Sequence, residues 1–243
     1  MCIRDRSEHT DPAALLAPER LAAQAAAIDP GGAADLGDVY RPGGTIYLCV
    51  VDQDRYAVSL IQSNAAGFGS GLVEPTTGIF LQNRGIGFSL QTGHPAEYGP
   101  GGRPPSTLSP ALLTRSDGSL AAVLGTMGGD SQPQILLQLL TRLLITGESV
   151  GQAVAAPRWL LSEPGNNPAF RTWSRHGIVG VHLETDAPVG WQSGLADRGH
   201  RIEPAGAVAW HGYGHAHVIR VGNDGVLEGA SDPRTLAGAV TGY

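Results

Sequence analysis

The sequence predicts a globular protein of the α+β class with a sizeable core, and three observations lead to that prediction. Several strand-like segments follow one another in sequence, and helical segments lie between and after these groups of strands. This order argues against a regular alternation of strands and helices around a parallel sheet. A chain of 243 residues is long enough to bury a sizeable core. Its apolar content of 42% is typical of a globular protein and not of a disordered one.

The first regular segment is an alanine-rich amphipathic helix predicted over residues 12–28, which ends at Asp29-Pro30-Gly31-Gly32. A linker containing glycine and proline follows. Beyond it the spacing of apolar residues changes, and we predict two strands, Ile46–Val51 and Ala57–Gln62, joined by a tight turn through residues 52–55.

Short strands are predicted next at Leu72–Val73 and Gly78–Gln82, followed by a loop rich in proline, glycine and histidine over residues 91–106. Ala111–Thr114 and Leu120–Leu124 then form a predicted hairpin, because a Ser-Asp-Gly turn separates them.

Two helices are predicted directly after that hairpin. Leucines on one broad face predict a helix over Gln134–Thr146, and a second helix is predicted over Val150–Ala155. The remaining predicted elements are strands at Ile178–Leu183, His217–Val221 and Val226–Gly229, with a helix near Trp191–Gly199.

Composition excludes several classes of function. The net charge of -6 and the lack of a basic stripe argue against nucleic-acid binding. All 16 basic residues are arginines, so no lysine is present to act as a nucleophile, form a Schiff base or bind phosphate in a P-loop. Cys2 and Cys49 cannot form a disulfide framework, and no apolar run is long enough to span a membrane. We expect no cofactor.

The chain begins with a polar segment that does not resemble the start of a natural domain. The first ten residues contain no apolar leader, so we predict no secretory signal, and a cytoplasmic location is favoured. We also expect sequence to be missing in front of this segment.

Thr45 is the first candidate catalytic residue. It follows Gly43 and Gly44 and leads directly into a strand, so its hydroxyl is well placed to attack the preceding carbonyl and release a new N-terminus. The freed threonine would then carry both a nucleophile and a base, because an α-amine titrates at about 7.7–8.0. The alternative from this window alone is that Thr45 simply starts a strand.

A second candidate is the glycine-rich segment Gly125–Asp130, which joins a strand to the strongest predicted helix. The amides of Gly128 and Gly129, close to a helix N-terminus, could stabilise an oxyanion. The alternative is a turn that only connects the two elements.

Three histidines form a third candidate, since His211, His215 and His217 lie within seven residues and the last two share a strand face. No carboxylate or cysteine completes a metal site there. Packed or hydrogen-bonded histidines are therefore favoured over a metal-binding module.

Taken together and in order, the motifs of residues 45–243 resemble the small subunit of the γ-glutamyltranspeptidases, and helix 12–28 resembles the tail of the large subunit. The matching motifs are Thr45 to Asp52, Ser59 to Asn64, Gly67 to Gly71, Gly78 to Arg84, Arg103 to Pro110, Gly128-Gly129, Ala156-Pro157-Arg158, Gly229 to Arg234 and Gly242-Tyr243.

The resemblance implies an N-terminal-nucleophile hydrolase with a four-layer αββα sandwich, made by self-cleavage of one precursor. The cleaved bond would be Gly44–Thr45, which places residues 1–44 in the large subunit and 45–243 in the small catalytic subunit. The large-subunit portion of the same precursor is then a partner of this chain.

The resemblance also implies a role for each matching side chain. Thr45 would be the nucleophile, Ser63 its hydroxyl partner, and Gly128 with Gly129 the oxyanion hole. Asn64 lies one position away from the substrate asparagine of the family. Ser106 and Thr107 match the hydroxyl pair that binds the substrate carboxylate.

Three departures from the family pattern bear on the substrate. Gly87 stands where γ-glutamyl enzymes have an acidic residue for the substrate ammonium, and Arg84 replaces a glutamine. An added guanidinium and a missing carboxylate favour an anionic acyl group over an α-amino acid. The loop over residues 93–103 is short, which favours water as the acyl acceptor. The large-subunit arginine that binds the substrate carboxylate is expected to lie outside this chain.

These features predict a γ-glutamyltranspeptidase-like amide hydrolase or acyltransferase, acting on a γ-glutamyl compound or another small amide. Two alternatives stay open. One is an amidohydrolase for a carboxylate-bearing amide that is not γ-glutamyl. The other is a catalytically inactive fragment with exposed apolar faces.

Overall fold

The computed structural model describes residues 17–26, 44–162, 179–204, 210–235 and 237–242. Contacts divide the chain into two units, 1–41 and 42–243. In the first unit, helix α1 covers Pro18–Ala26, inside the predicted helix 12–28. Ala17 is described and precedes the helix, and the other residues of the predicted segment lie outside the described part. The second unit contains the candidate site.

The second unit starts with an antiparallel hairpin of β1 (Thr45–Val51) and β2 (Ala57–Ser63). The predicted hairpin is therefore confirmed, and each strand extends one residue further at the end away from the turn. Asp52 closes that turn, because its side chain accepts the N–H of Tyr56 at 2.8 Å. Thr45 and Ser63 consequently lie opposite each other at the open end.

A four-stranded antiparallel sheet, with strand order β3-β4-β8-β9, forms the centre of the unit. Its strands are β3 (Ala111–Thr114), β4 (Leu120–Thr126), β8 (Ala216–Val221) and β9 (Leu227–Ser231). All four were predicted, although β4 and β9 extend beyond their predicted ends. This extension carries β4 up to the glycine-rich segment.

A third sheet contains β5 (Trp159–Ser162), β6 (Gly180–Leu183) and β7 (Arg201–Ile202). β6 lies within the predicted strand 178–183, whose first residue is outside the described part. β5 and β7 were not predicted. Strand β6 pairs antiparallel with β5 and parallel with β7.

Three helices accompany the sheets: α2 (Gln132–Thr141), α3 (Val150–Ala155) and α4 (Val189–Ala196). The prediction over 134–146 is confirmed as α2 followed by a π-helical turn at Arg142–Thr146. The main core lies between α2, α3 and the central sheet. Its fully buried members include Leu124, Ile135, Leu139, Val150, Val154 and Val218.

The prediction of strands at Leu72–Val73 and Gly78–Gln82 is wrong. Only one bridge, between Val73 and Phe80, pairs these segments. Residues 74–77 make a tight turn held by the Glu74 side chain, which accepts the N–H groups of Thr76 and Thr77. On either side of the bridge, the Glu74 N–H donates to the carbonyl of Ile79 and the Leu81 N–H to that of Leu72, both at 2.9 Å, so the segments meet over a short stretch without forming full strands.

Three layers are therefore present in the second unit: the β1–β2 hairpin, the central sheet, and α2 with α3. This arrangement confirms the α+β class and matches the ββα part of the predicted αββα sandwich. A helical layer on the outer face of the hairpin is not among the described residues of this unit. That face is apolar and exposed, with Ile46 at 57% and Val50 at 54% of their possible accessibility. Among the described helices, none combines the length and apolarity needed to cross a membrane.

Candidate active site

The open end of the hairpin brings together two predicted site residues, Thr45 and Ser63. Their hydroxyl oxygens are 2.7 Å apart, within hydrogen-bond distance. The Ser63 oxygen also accepts the backbone N–H of Ala65 at 3.0 Å. Antiparallel pairing of β1 with β2 fixes this contact, because it places both side chains on one face at directly opposed positions.

Gly44, on the other side of the predicted cleavage bond, occupies a conformation that favours glycine. Its φ angle is +141°, and a Cβ atom at this position would stand 2.1 Å from the carbonyl oxygen of Gly67. Any other residue type would be strained and would clash there. The glycine before Thr45 is thus required by backbone geometry.

The loop that packs against Gly44 is held by Asn83, a residue without a predicted role. The Asn83 side chain accepts the N–H of Ala66 at 2.9 Å and donates to the carbonyl of Gly69 at 2.9 Å. Its own backbone N–H donates to the carbonyl of Asn64 at 3.0 Å. Asn83 therefore positions the loop between the hairpin and Arg84.

Arg84 and Thr107 form a second pair, since Nη1 of Arg84 donates to the Thr107 hydroxyl at 2.7 Å. The Nη2 atom of the same guanidinium is buried and has no hydrogen-bond partner in the described part of the chain. Burial lowers the pKa of Arg84, and the charge of Asp130 partly offsets that effect. Asp130 belongs to the glycine-rich turn, so Arg84 lies beside that turn.

Asn64 and Ser106 are predicted site residues whose side chains form no hydrogen bond, among the described residues, with either of the two pairs above. The Ser106 hydroxyl is exposed and accepts the backbone N–H of Leu108 at 3.3 Å. The Asn64 side chain is half-buried next to Gly69. Within the described ranges, no hydrogen bond joins either side chain to Thr45 or Arg84.

Gly128 and Gly129 begin a 3₁₀ turn in front of helix α2, with positive φ angles of 136° and 57°. The buried Ser131 hydroxyl holds this turn, because it lies within hydrogen-bond distance of the carbonyls of Gly128 and Gly212. A Cβ atom on Gly128 would approach that hydroxyl oxygen to 2.8 Å. The backbone of this turn is therefore fixed on both sides.

Tyr47 sets the spacing between the hairpin and the central sheet. A Cβ atom on Gly125 would lie 2.3 Å from the Tyr47 ring, so the ring packs directly on the backbone of β4. The ring also stacks on His217 of β8, with centroids 6.1 Å apart, and its hydroxyl is 3.0 Å from that of Ser59. This contact connects the strand that begins at Thr45 with the strand that leads to Gly128.

The histidine cluster is partly explained by that packing. Burial lowers the pKa of His217, although Asp232 raises it in part, so the ring is held in its neutral form against Tyr47. Among the described residues, no group of three side chains is arranged to hold a metal ion. The side chain of His211 lies outside the described part.

Sequence reasoning missed a buried ionic network behind the central sheet. Arg158 donates to Asp232 at 2.7 Å and to the carbonyl of Tyr213 at 2.6 Å. Arg234 also pairs with Asp232 and binds Glu184. Arg158, Asp232 and Arg234 were noticed only as parts of motifs, because nothing in their spacing shows that they meet.

Known proteins resemble this chain in sequence and in fold. The family model described as gamma-glutamyltranspeptidase matches residues 3–242. The oxamate amidohydrolase proenzyme of Klebsiella pneumoniae is 40% identical over 229 residues, covering 94% of this chain and 41% of that protein. The glutathione hydrolase-like YwrD proenzyme of Bacillus subtilis is 38% identical, covering 82% and 36%.

The γ-glutamyltranspeptidase of Pseudomonas nitroreducens, solved in complex with L-DON, superposes with a TM-score of 0.65 at 26% identity, covering 81% of this chain and 99% of that chain. The present chain spans about two fifths of the length of the curated relatives named above. From the family match and these similarities, the chain belongs to the gamma-glutamyltranspeptidase family.

Proposed function

We propose that this chain is the catalytic part of a γ-glutamyltranspeptidase-like amide hydrolase, and that cleavage of the Gly44–Thr45 bond activates it. The observation that carries this proposal is the 2.7 Å contact between the hydroxyls of Thr45 and Ser63, next to a glycine whose conformation and surroundings exclude a side chain. Two relatives that the chain resembles are named as proenzymes, which supports activation by cleavage.

Cleavage would begin when the Thr45 hydroxyl oxygen attacks the carbonyl carbon of Gly44. The peptide C–N bond breaks, the acyl group moves to the hydroxyl oxygen as an ester, and the nitrogen becomes the α-amine of Thr45. Water then hydrolyses the ester and leaves a carboxyl group on Gly44. The glycine conformation against Gly67 holds the reacting carbonyl in place during these steps.

Ser63 would serve as a hydrogen-bond donor to the nucleophile. Its oxygen accepts the N–H of Ala65, and a hydroxyl that accepts a hydrogen bond becomes a stronger donor. It can then stabilise the negative charge that develops on the Thr45 oxygen. In the mature enzyme the α-amine of Thr45 acts as the base.

Gly128 and Gly129 would form the oxyanion hole. Their positive φ angles and the fixation by Ser131 provide backbone amides that need not reorganise during the reaction. Removal of one such donor in acyl-transfer enzymes costs about 3–4 kcal/mol of transition-state stabilisation.

The acyl substrate would carry a carboxylate bound by Arg84 together with the hydroxyls of Ser106 and Thr107, with Asn64 beside it. A buried guanidinium nitrogen without a partner favours an anionic ligand, because the anion supplies the missing acceptor. Gly87 offers no carboxylate for a substrate ammonium group. Oxamate has a carboxylate directly attached to its amide carbon, and a relative at 40% identity is named for hydrolysing it.

The large-subunit portion of the same precursor would be the partner of this chain. The outer face of the β1–β2 hairpin exposes a row of apolar side chains: Ile46, Leu48, Val50, Val58 and Leu60. Such a face is costly to leave in water and is suited to a packed helical layer. The partner would bury it and complete the substrate pocket.

The test uses the full-length precursor and its Thr45→Ala variant. We expect wild type to separate into two subunits on a denaturing gel and to release ammonia from oxamate, whereas Thr45→Ala stays uncut and inactive. An uncut but fully active wild type would refute the proposal. Preferred hydrolysis of γ-glutamyl-p-nitroanilide over oxamate would instead favour the γ-glutamyl alternative.

A further inference from the structure

Gln132 is a fully buried polar residue at the junction of two parts of the candidate site. Its backbone N–H donates to the carbonyl of Gly129 in the glycine turn. Its side-chain oxygen accepts the backbone N–H of Ser109 at 2.9 Å. One residue thus connects the turn that carries the oxyanion amides with the segment that carries the carboxylate-binding hydroxyls.

The segment on the far side of this connection leads directly to Arg84. The Ser109 hydroxyl donates to the carbonyl of Thr107 at 3.4 Å, and the Thr107 hydroxyl accepts Nη1 of Arg84 at 2.7 Å. Movement of Ser109 relative to Gly129 would change the distance between the group that binds the carboxylate and the group that binds the reacting carbonyl.

The nitrogen of the Gln132 side-chain amide indicates that a ligand binds nearby. Because Oε1 must face the Ser109 N–H, the remaining atom is Nε2, a donor. Nε2 is buried and has no hydrogen-bond partner in the ranges that the structure describes. Nη2 of Arg84, whose guanidinium contacts the Ser106–Ser109 segment through Thr107, is also buried without a hydrogen-bond partner in those ranges. Buried donors without an acceptor are unfavourable, so two of them around one segment indicate an acceptor-rich ligand.

We propose that Gln132 is a positioning and specificity residue that selects acyl groups whose carboxylate lies close to the reacting amide. Through its hydrogen bond to Ser109, oxygen Oε1 fixes the distance between the Ser106–Ser109 segment and the glycine turn. Nitrogen Nε2 donates to an oxygen of the bound acyl group. This inference rests on the proposed function and specifies its substrate class as short carboxylate-bearing amides.

The test compares oxamate with succinamate, which has two additional methylene groups, and with oxamide, in which a neutral amide replaces the carboxylate. In Gln132→Met we expect kcat/KM for oxamate to fall at least about 10-fold, the size expected for losing a hydrogen bond to a charged group. The preference for oxamate over succinamate should shrink by a similar factor. Oxamide hydrolysis should change by less than about threefold.

Gln138→Met is the matched control. Gln138 is on the same helix and also buried, and its amide both donates to and accepts from the backbone of Trp159, at 2.9 and 3.0 Å. Its replacement removes hydrogen bonds to strand β5 and none to the Ser106–Ser109 segment or the glycine turn, so we expect lower stability with an unchanged substrate preference. A change in preference that is equal in the two variants would overturn the proposal.

Gln132→Glu covers the case in which Gln132→Met fails to fold. It keeps the shape and the acceptor for Ser109 but replaces the donor by oxygen, so KM for oxamate should rise at least about 10-fold. If both Gln132 variants keep the wild-type ratio of kcat/KM for oxamate and succinamate, the inference about Gln132 is overturned and the proposed function is not. Cleaved wild-type enzyme that hydrolyses no carboxylate-bearing amide would overturn the proposed substrate class, and this inference with it.

Discussion

The Arg158 side chain is fully buried and that of Arg84 is half-buried, and their surroundings differ. The Arg158 side chain, 2% exposed, donates to the Asp232 carboxylate and to the backbone carbonyls of Val154 and Tyr213. Arg84 donates to one neutral hydroxyl, and its Nη2 atom has no partner among the described residues.

The difference separates a structural arginine from one suited to ligand binding. A buried guanidinium is stable in a folded protein when its charge and donors are matched, which is the case for Arg158. Arg84 is matched only in part, and burial lowers its pKa with only partial compensation from Asp130. An anionic ligand would supply the missing acceptor. The charges on the helix-backed side of the central sheet are therefore matched within the described part of the chain, whereas the proposed substrate would supply the acceptor that Arg84 lacks there.

The strongest expected effect on stability comes from Arg158→Met. The substitution leaves Asp232 buried, with Arg234 at 3.1 Å as its remaining ionic partner, and breaking a buried pair in this way costs about 3–5 kcal/mol. Urea unfolding of the precursor measures the loss. A change below about 1 kcal/mol would show that the network is not structural.

A smaller effect is expected at the contact between the two sheets. In Gly125→Ala, the new methyl group would overlap the Tyr47 ring, and overpacking of this kind costs about 1–3 kcal/mol. Tyr47→Leu in the same chain frees the space, so the double variant should be more stable than the sum of the single effects predicts. A double-mutant cycle that shows additivity would mean that the ring does not set this spacing.

Acid should weaken the ionic network gradually. Burial raises the pKa of Asp232, but Arg158, the Ala216 N–H and Arg234 outweigh it and hold the pKa below its usual value. The stability from this group is complete above the unfolded-state pKa of about 3.9 and is lost as pH falls through the lower folded-state value. Urea unfolding between pH 6 and pH 3 should show this decline, and Asp232→Asn should flatten it. An unchanged slope in the variant would assign the decline to other groups.

The smallest effect on stability is expected for Arg84→Gln, at less than about 1 kcal/mol, because the side chain is only half-buried and forms no salt bridge with another described residue. Thermal unfolding of the precursor measures it. A loss as large as that of Arg158→Met would abolish the distinction between the two arginines.

Local sequence patterns predicted the elements whose partners are close in the chain. The hairpin 45–63 has alternating apolar residues around a tight turn, and the helix over 134–146 has a continuous leucine face, so both were found. Strand β5 is four residues long and shows no alternation of apolar and polar residues, so its local sequence did not indicate a strand. At residues 72–73 and 78–82 the apolar pattern indicated strands, but the segments share only one bridge, between Val73 and Phe80.

The site was predictable to the extent that its chemistry depends on residue type. Thr45, Ser63 and the Gly128–Gly129 pair could be proposed from the motifs of the family. Three features could not be proposed in this way: the close approach of Gly67 that leaves no room for a side chain at Gly44, the connecting role of Gln132, and the Arg84 nitrogen without a partner among the described residues. These features depend on burial and on contacts between segments far apart in sequence, which appear only after the sheets have packed.

The proposed substrate class depends on binding of the substrate carboxylate by Arg84. The most direct test is the ratio of kcat/KM for oxamate and oxamide, measured for the cleaved wild-type enzyme and for Arg84→Gln. A hydrogen-bonded guanidinium should give wild type a preference for oxamate of about 10²-fold, and Arg84→Gln should reduce that preference to less than about threefold while the protein stays folded. The same preference in both enzymes would contradict the claim.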